Sequence, residues 1–239
     1  MGRHGTIAGR KAAQDSKRSA MFTKYGRQII VAAKAGGDPE YNATLRVAIE
    51  KAKAIGMPND NIKRAIKKGT GELGGESYEE LQFEGYGPSG VAVIVEALTD
   101  NKNRTASFVR SIFDKNGGNL GTPGCVSYMF SRKGVIIIDS EDLDEDEVMM
   151  VALDAGADDM IVNDDNFEIR TEPSVFNDVH QAIKDAGYDI VEAEIEQIPS
   201  MEASVSDESA IKSLTKLITS LEDNDDVQKV YFNCDLDLE

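Results

Sequence analysis

The spacing of apolar residues changes character once along this chain, at a glycine-rich stretch, and that change divides what it can fold into. Before the change the spacing is helical. Phe22, Tyr25, Ile29 and Ala32 recur in steps of three and four and share one helix face. The pattern predicts a helix from Gly9 to Ala35, ended by Gly36-Gly37-Asp38-Pro39, which cannot continue it. A second helix is predicted from Asn42 to Ile55, with Leu45, Ala48, Ile49 and Ala52 inward and Gly56 and Pro58 closing it. A third starts at Asn59 or Asp60, turns Ile62, Ala65 and Ile66 inward and stops at Gly69. Residues 1–20 are polar and basic, which predicts a flexible start.

Residues 69–77 read as a linker, and beyond them the period falls to two. Leu81 and Phe83 alternate with polar residues, and Val91–Leu98 reads as a buried strand. A helix is predicted over 103–116, a strand over Val126–Phe130, a turn over Ser131–Gly134 and a strand over Val135–Asp139. Helix 144–155, strands 158–163 and 166–171, helix 174–186 and strand 189–197 follow. With strand 135–139 in front, the order is β-α-β-β-α-β, that of ferredoxin-like domains. A last helix over 207–222 and a last strand over 227–232 need the sheet begun at 81–130 as a partner. The expected class is therefore α+β and multidomain: an N-terminal helical domain (1–75), then two ferredoxin-like α/β domains. One of these (134–200) is inserted in the other, which is discontinuous (78–133 plus 201–239).

Charge is distributed unevenly. The chain of 239 residues carries −17 overall, but residues 1–75 hold 15 Lys/Arg against 6 Asp/Glu, a balance of +9. The remainder holds 11 against 37, a balance of −26. Such asymmetry suggests that the basic end meets a polyanion while the acidic body confines the contact to it. The longest apolar runs, Val91–Val95 and Val135–Ile138, are far short of the ~20 residues that span a bilayer. The N-terminus has no secretory pattern. Two cysteines, Cys125 and Cys234, fit a reducing compartment, so a cytoplasmic location and no membrane partner are expected.

Catalytic and metal chemistry finds little support. Gly69-Thr-Gly-Glu-Leu-Gly74 matches G-x-G-x-x-G, but a helix precedes it where a dinucleotide fingerprint needs a strand. His4 and His180 are the two histidines, and neither sits in a metal-ligand or triad spacing. The acidic runs at Glu141–Glu147, Asp154–Asp159, Asp164–Asp165 and Glu222–Asp226 lack the alternation and glycine of a calcium loop. They read as solvated turns and helix starts. No catalytic residue, metal or cofactor is expected.

Two constellations remain. Arg10, Lys11, Lys17, Arg18 and Lys24 occupy an arc of about 140° on a helix, widened by Arg27 and Lys34. The third helix adds Lys63, Arg64, Lys67 and Lys68 opposite its apolar residues. Such faces neutralise phosphates and release counterions. The second constellation is polar and glycine-rich. In it Tyr86 offers a stacking surface, and Asn101, Lys102 and Arg104 reach phosphate or base edges; ordinary turn and cap chemistry accounts for these residues equally well.

The same segments carry a likeness. Arg10-Lys-Ala-Ala-Gln-Asp-Ser-Lys-Arg18, Gly56-Met-Pro-Asn-Asp-Asn-Ile-Lys-Arg-Ala-Ile-Lys-Lys-Gly-Thr-Gly71, Glu84-Gly-Tyr-Gly-Pro-Ser-Gly90, Leu98-Thr-Asp-Asn-Lys-Asn-Arg-Thr105 and Asn116-Gly-Gly-Asn-Leu-Gly121 resemble the YebC/PmpR family of probable transcriptional regulatory proteins. The mitochondrial translational activator of cytochrome c oxidase is grouped with them. The resemblance implies an N-terminal helical domain and two α/β domains, one inserted in the other. It implies either DNA-binding regulation of transcription or action on translation through the ribosome, both through the basic residues of 10–34 and 63–68. The ribosomal reading adds Tyr86 and Asn101–Arg104. The usual family start, Ala-Gly-His-Ser-Lys-Trp-Ala-Asn-Ile-Lys, stands here as Gly2-Arg-His-Gly-Thr-Ile-Ala-Gly-Arg10, and the chain has no tryptophan. The sequence thus predicts a non-enzymatic, DNA-binding transcriptional regulator, with a ribosome-associated factor binding rRNA or tRNA as the alternative.

Overall fold

The computed structural model describes the backbone of residues 7–74 and 77–236, and side chains from Arg18 onward within that range. The elements are α1 (Ile7–Ala33), α2 (Ala43–Ala54), α3 (Asn59–Gly69), β1 (Glu79–Tyr86), β2 (Ala92–Thr99), α4 (Lys102–Lys115), β3 (Asn119–Leu120) and β4 (Phe130–Asp139). They continue with α5 (Glu145–Asp154), β5 (Asp159–Val162), β6 (Asn166–Thr171), α6 (Phe176–Asp185), β7 (Ile190–Pro199), α7 (Glu208–Glu222) and β8 (Val227–Phe232). They form two compact units, one running to Val126 and resuming at Ala203, the other covering Ser127–Glu202.

In the first unit, α1–α3 close around Ile29, Leu45, Ala52 and Ile62. Asn42 connects two helix ends that would otherwise leave backbone groups unsatisfied. Its carbonyl oxygen accepts from Leu45 N at 3.0 Å and caps α2. Its amide donates to the carbonyls of Ala32 and Gly36, each at 2.8 Å, at the end of α1. Gly69 is more than a helix stop. A Cβ there would strike the Ile30 carbonyl and lie 2.6 Å from Ala33 Cβ, so α3 reaches α1 only because position 69 has no side chain.

The sheet of this unit runs β3-β1-β2-β8. β1 pairs antiparallel with β2 from Glu79↔Thr99 to Tyr86↔Ala92, and β8 takes the other side of β2. Val91, Val93 and Val95 lie against Val109 and Phe113 of α4 and Leu214, Leu217 and Ile218 of α7. These alternate positions face one way from the strand, so the two helices cover that face.

In the second unit the chain order β4-α5-β5-β6-α6-β7 gives a sheet ordered β5-β6-β4-β7, antiparallel at every pairing. Val148 and Ala152 of α5 and Val179 and Ile183 of α6 are buried over Ile136, Ile138 and Ile169. The expected strand at Val126–Phe130 and turn at Ser131–Gly134 are not formed. Phe130–Asp139 is one strand, paired with β7 from Phe130↔Pro199 to Ile138↔Ile190. Its polar stretch stays in the ladder: Arg132, exposed, lies opposite Gln197 and Lys133 opposite Glu196. Lys133 is also ion-paired with Asp158 and Glu172. Gly134, which suggested a turn, is a close-approach position where a Cβ would strike Thr171 and Phe176.

These contacts separate the glycines by effect. Gly69→Ala and Gly134→Ala should each cost about 1–3 kcal/mol in urea unfolding, as overpacking does. Gly26 lies inside α1, where a Cβ would meet open space. Gly26→Ala should stabilise by about 0.5–1 kcal/mol, and an equal loss at all three sites would contradict the packing described.

Candidate nucleic-acid interface

The basic residues proposed from sequence divide sharply once placed. Arg10, Lys11 and Lys17 belong to α1, and their side chains fall outside the described residues. Arg18 is exposed, lies 5.4 Å from the Phe22 ring centroid and makes a long contact of 3.5 Å to the Gly56 carbonyl. Lys24 donates at 2.7 Å to the carbonyl of Glu222, the last residue of α7, where the helix dipole favours a cation. Burial pushes the Lys24 amine down, against the opposing pull of Glu222, Asp225 and Asp223.

Arg27 is committed more deeply. Its guanidinium donates to Asp226 Oδ1 at 2.7 Å, to the Asp225 carbonyl and to the Leu98 carbonyl at 3.2 Å. It also lies 5.3 Å from the centroid of the Tyr78 ring. Asp226 is 4% exposed and takes further donors from two elements. Arg104 Nη2 approaches its oxygens at 2.9 and 3.1 Å, and Thr105 Oγ1 donates at 2.7 Å. Thr99 Oγ1 adds a contact at 3.3 Å. Burial alone would raise the Asp226 pKa; the hydrogen bonds from Thr105 and Arg104 and the charge of Arg27 outweigh it, and the net shift is downward. The hydrogen bonds that Arg104 donates to Asp226 and Asp100 raise its own pKa in turn.

The loop residues fare similarly. Asn101 caps α4, accepting from Arg104 N at 3.0 Å. Lys102 is ion-paired with Glu79. The Tyr86 hydroxyl donates to the Cys125 carbonyl at 3.0 Å, and the ring is half-buried. Lys34 donates to the Tyr78 carbonyl at 2.7 Å. On α3, by contrast, Lys63, Arg64 and Lys67 are exposed and have no ion-pair partner among the described residues, while Lys68 is half-buried.

Other chemistry is sparse among the described residues. Glu192, Glu194 and Glu196 alternate along β7 with carboxylate oxygens within 4.8 Å of one another, and both Glu194 and Glu196 have contacts within the chain. Burial pushes the Cys125 and Cys234 thiols up, away from the thiolate a nucleophile needs. His180 lies 6.2 Å from the Phe176 ring. No described helix is long and apolar enough to cross a membrane.

Comparison with known proteins gives the lineage. Residues 3–72 match the TACO1/YebC protein N-terminal domain, and residues 78–234 match the TACO1/YebC second and third domain. The chain belongs to the TACO1/YebC family. A probable transcriptional regulatory protein of Clostridioides difficile is 55% identical over 99% of this chain and 100% of its own. One from Persephonella marina is 54% identical over 96% and 93%. The crystal structure of a conserved hypothetical protein from Aquifex aeolicus superposes with a TM-score of 0.84 at 45% identity, covering 94% of this chain and 93% of that one. Family members thus carry the name of regulators and not of enzymes.

The residue that sequence reasoning missed in this family member is Asp226. It closes the run Glu222–Asp226, which reads as a solvated turn, yet it is buried among cations from α1 and α4. A faint signal existed: hydrophobic Val227 follows it directly and opens β8. Asp226→Asn should destabilise the chain by about 3 kcal/mol at pH 7, as breaking a buried ion pair does. Because the folded pKa of Asp226 lies below its ordinary 3.8, its contribution is fully present above that ordinary value and is lost as pH falls through the folded one. Urea unfolding from pH 7 to pH 3 should therefore show a constant wild-type advantage that narrows only below about pH 4; a gap that closes nearer pH 6 would point to another group.

Proposed function

We propose that this TACO1/YebC-family protein is a non-enzymatic regulator that binds nucleic acid through its phosphate backbone, using the exposed cations of α3 together with Arg10, Lys11, Lys17 and Arg18 of α1. The observation that carries the reading is the contrast between cations. Lys24, Arg27, Lys102 and Arg104 are held by the chain's own carboxylates and carbonyls. Lys63, Arg64 and Lys67 stand exposed in the same unit with no ion-pair partner among the described residues. Cations kept clear of carboxylates in a chain of net charge −17 are available for phosphates, where each contact gains from counterion release.

The relatives' names support an output at transcription; we take duplex DNA as the first target and the cytoplasm as the place of action. The alternative target is structured RNA of the translation machinery, which the same cations would serve. The exposed cations of α3 are lysines and an arginine at i, i+1 and i+4, suited to tracking a backbone rather than reading base edges. We also infer a ferredoxin-like architecture for 134–200, inserted in a discontinuous domain of 78–133 and 201–239. The strand order of the second unit and the pairing of β8 with β2 support it.

Lys63→Ala/Arg64→Ala/Lys67→Ala should weaken duplex binding and reduce the slope of log affinity against log salt by about 2.7, three contacts at about 0.9 each. Crosslinking in growing cells, followed by sequencing of the attached DNA and RNA, tells the targets apart. Promoter fragments lost in the variant support transcription; ribosomal and transfer RNA without DNA above background moves the output to translation. An unchanged salt slope would remove α3 from the interface.

A further inference from the structure

The acidic α/β part of the first unit keeps a second set of cations out of ion pairs. Seven Lys or Arg residues lie in 78–126 and 203–236. Lys102 and Arg104 are ion-paired, and Lys229 lies 6.0 Å from the Tyr231 ring centroid. The other four are Arg110 and Lys115 on α4 and Lys212 and Lys216 on α7. All line one of two hollows, and Lys115 lines both. Among the described residues none of the four has an ion-pair partner.

The placement follows from how the two helices cover the sheet. On α7, Leu214, Leu217, Ile218 and Leu221 are buried. Ser209, Lys212, Ser213 and Lys216 repeat the same spacing on the other side and line the hollow. Lys212 and Lys216 are a like-charge pair one turn apart, unfavourable on an isolated helix. Glu208, one turn before Lys212, makes no ion pair with it. Facing them across a hollow of about 570 Å³ are Ser89, Lys115 and Gly117. Ser89 at φ 60 and Gly117 at φ 74 place two left-handed turns at the rim, so the wall there is short-chained and open. The lining has three cations against one carboxylate, Asp207, whose oxygen is engaged at 2.8 Å in capping α7. Along α4 a second hollow, sharing Lys115, is lined by Ser107, Arg110, Ser111 and Asp114, so it adds one cation and one carboxylate.

We propose that the α4–α7 groove is a second phosphate-binding surface that takes the sugar–phosphate backbone of a nucleic acid. The proposal rests on the reading of this protein as a nucleic-acid binder and adds a contact outside the helical module. Lysine ammoniums neutralise non-bridging phosphate oxygens and serine hydroxyls donate to them; the side chains lining the groove carry no aromatic ring for stacking, so the contact is independent of base identity. The acidic remainder of the chain restricts the strand to this face.

The test uses the full chain, a fluorescent single-stranded RNA and the matching DNA duplex, with affinity measured across salt. Lys115→Gln/Lys212→Gln/Lys216→Gln should lower the log–log slope on RNA by about 2 and weaken binding about 100-fold at 0.1 M salt relative to 1 M, three contacts at about 0.7 each. The corresponding Lys→Arg variant should restore both, and thermal melting should be unchanged, since the three side chains line an open groove. RNA should also protect these lysines from acetylation more than 10 mM inorganic phosphate does. If the glutamine variant keeps the wild-type slope while Lys63→Ala/Arg64→Ala/Lys67→Ala loses it, the groove is overturned and the functional reading stands. Protection by phosphate alone likewise overturns a backbone site in favour of a small-anion site. Failure of the wild type to bind either nucleic acid overturns both.

Discussion

The Asp226 carboxylate is buried at the turn before β8, where it is approached by Arg27 from α1, Thr99 from the end of β2, and Arg104 and Thr105 from α4. Removing a carboxylate from water costs several kcal/mol unless its lone pairs are filled, and here donors from three elements fill them. The arrangement has little tolerance for displacement. If α1 shifted away from the sheet, Arg27, whose side chain is 12% exposed, would lose its carboxylate and carbonyl acceptors, and Asp226 at 6% would keep Arg104, Thr105 and Thr99 but lose one of its two guanidinium partners. The ion pair therefore fixes the helical module to the sheet within the first unit. The ring of Tyr78 under Arg27 and the bond from Lys24 to the end of α7 reinforce the same seam.

Fixing that seam decides which cations stay available to a partner. Lys24 and Arg27 share α1 with Arg10 through Arg18, and on a helical projection they extend one basic stripe. In the folded chain they serve the seam, while α3 turns Ile62 and Ala65 inward and leaves Lys63, Arg64 and Lys67 outside. The same division is repeated farther on. Lys102 and Arg104 begin α4 and answer to Glu79, Asp100 and Asp226, whereas Arg110 and Lys115 end it facing solvent.

How much of this was legible in the sequence follows from the range of each interaction. The three N-terminal helices, and the helices and strands after residue 135, are set by periodicity and caps a few residues apart. Asn42 before α2, Asn101 before α4, Asp144 before α5 and Asp207 before α7 all cap as their types suggest. The region 126–134 misled because Ser, Arg, Lys and Gly together read as a turn. Gly134 is there for Phe176 and Thr171, which are some forty residues away. The candidate interface was harder still. A lysine that meets a phosphate and one that meets a carboxylate have the same local sequence. The partners of Lys24 and Arg27 lie 198 and 199 residues downstream, and no local pattern couples them. Tyr86 and Asn101 were drawn into the candidate site because loops rich in Gly and Asn serve ligands and turns alike; here one hydroxyl and one cap account for them.

On the proposed reading, the remaining cations are what lets a chain of −17 approach a polyanion. Repulsion from the acidic body acts through solvent and fades over about 8 Å at physiological ionic strength. Contacts made by side chains that project from α3 act within a few ångströms and are little affected by charges on distant elements. The acidic remainder then works as an orienting field, penalising every approach except those that present phosphate to an exposed basic face. Recognition built this way is governed by where cations stand on a rigid unit, not by pairing with bases. On the proposed reading the Arg27–Asp226 seam serves the interface without touching the ligand, since the spacing between basic faces of the first unit is only as fixed as the joint between its helices and its sheet.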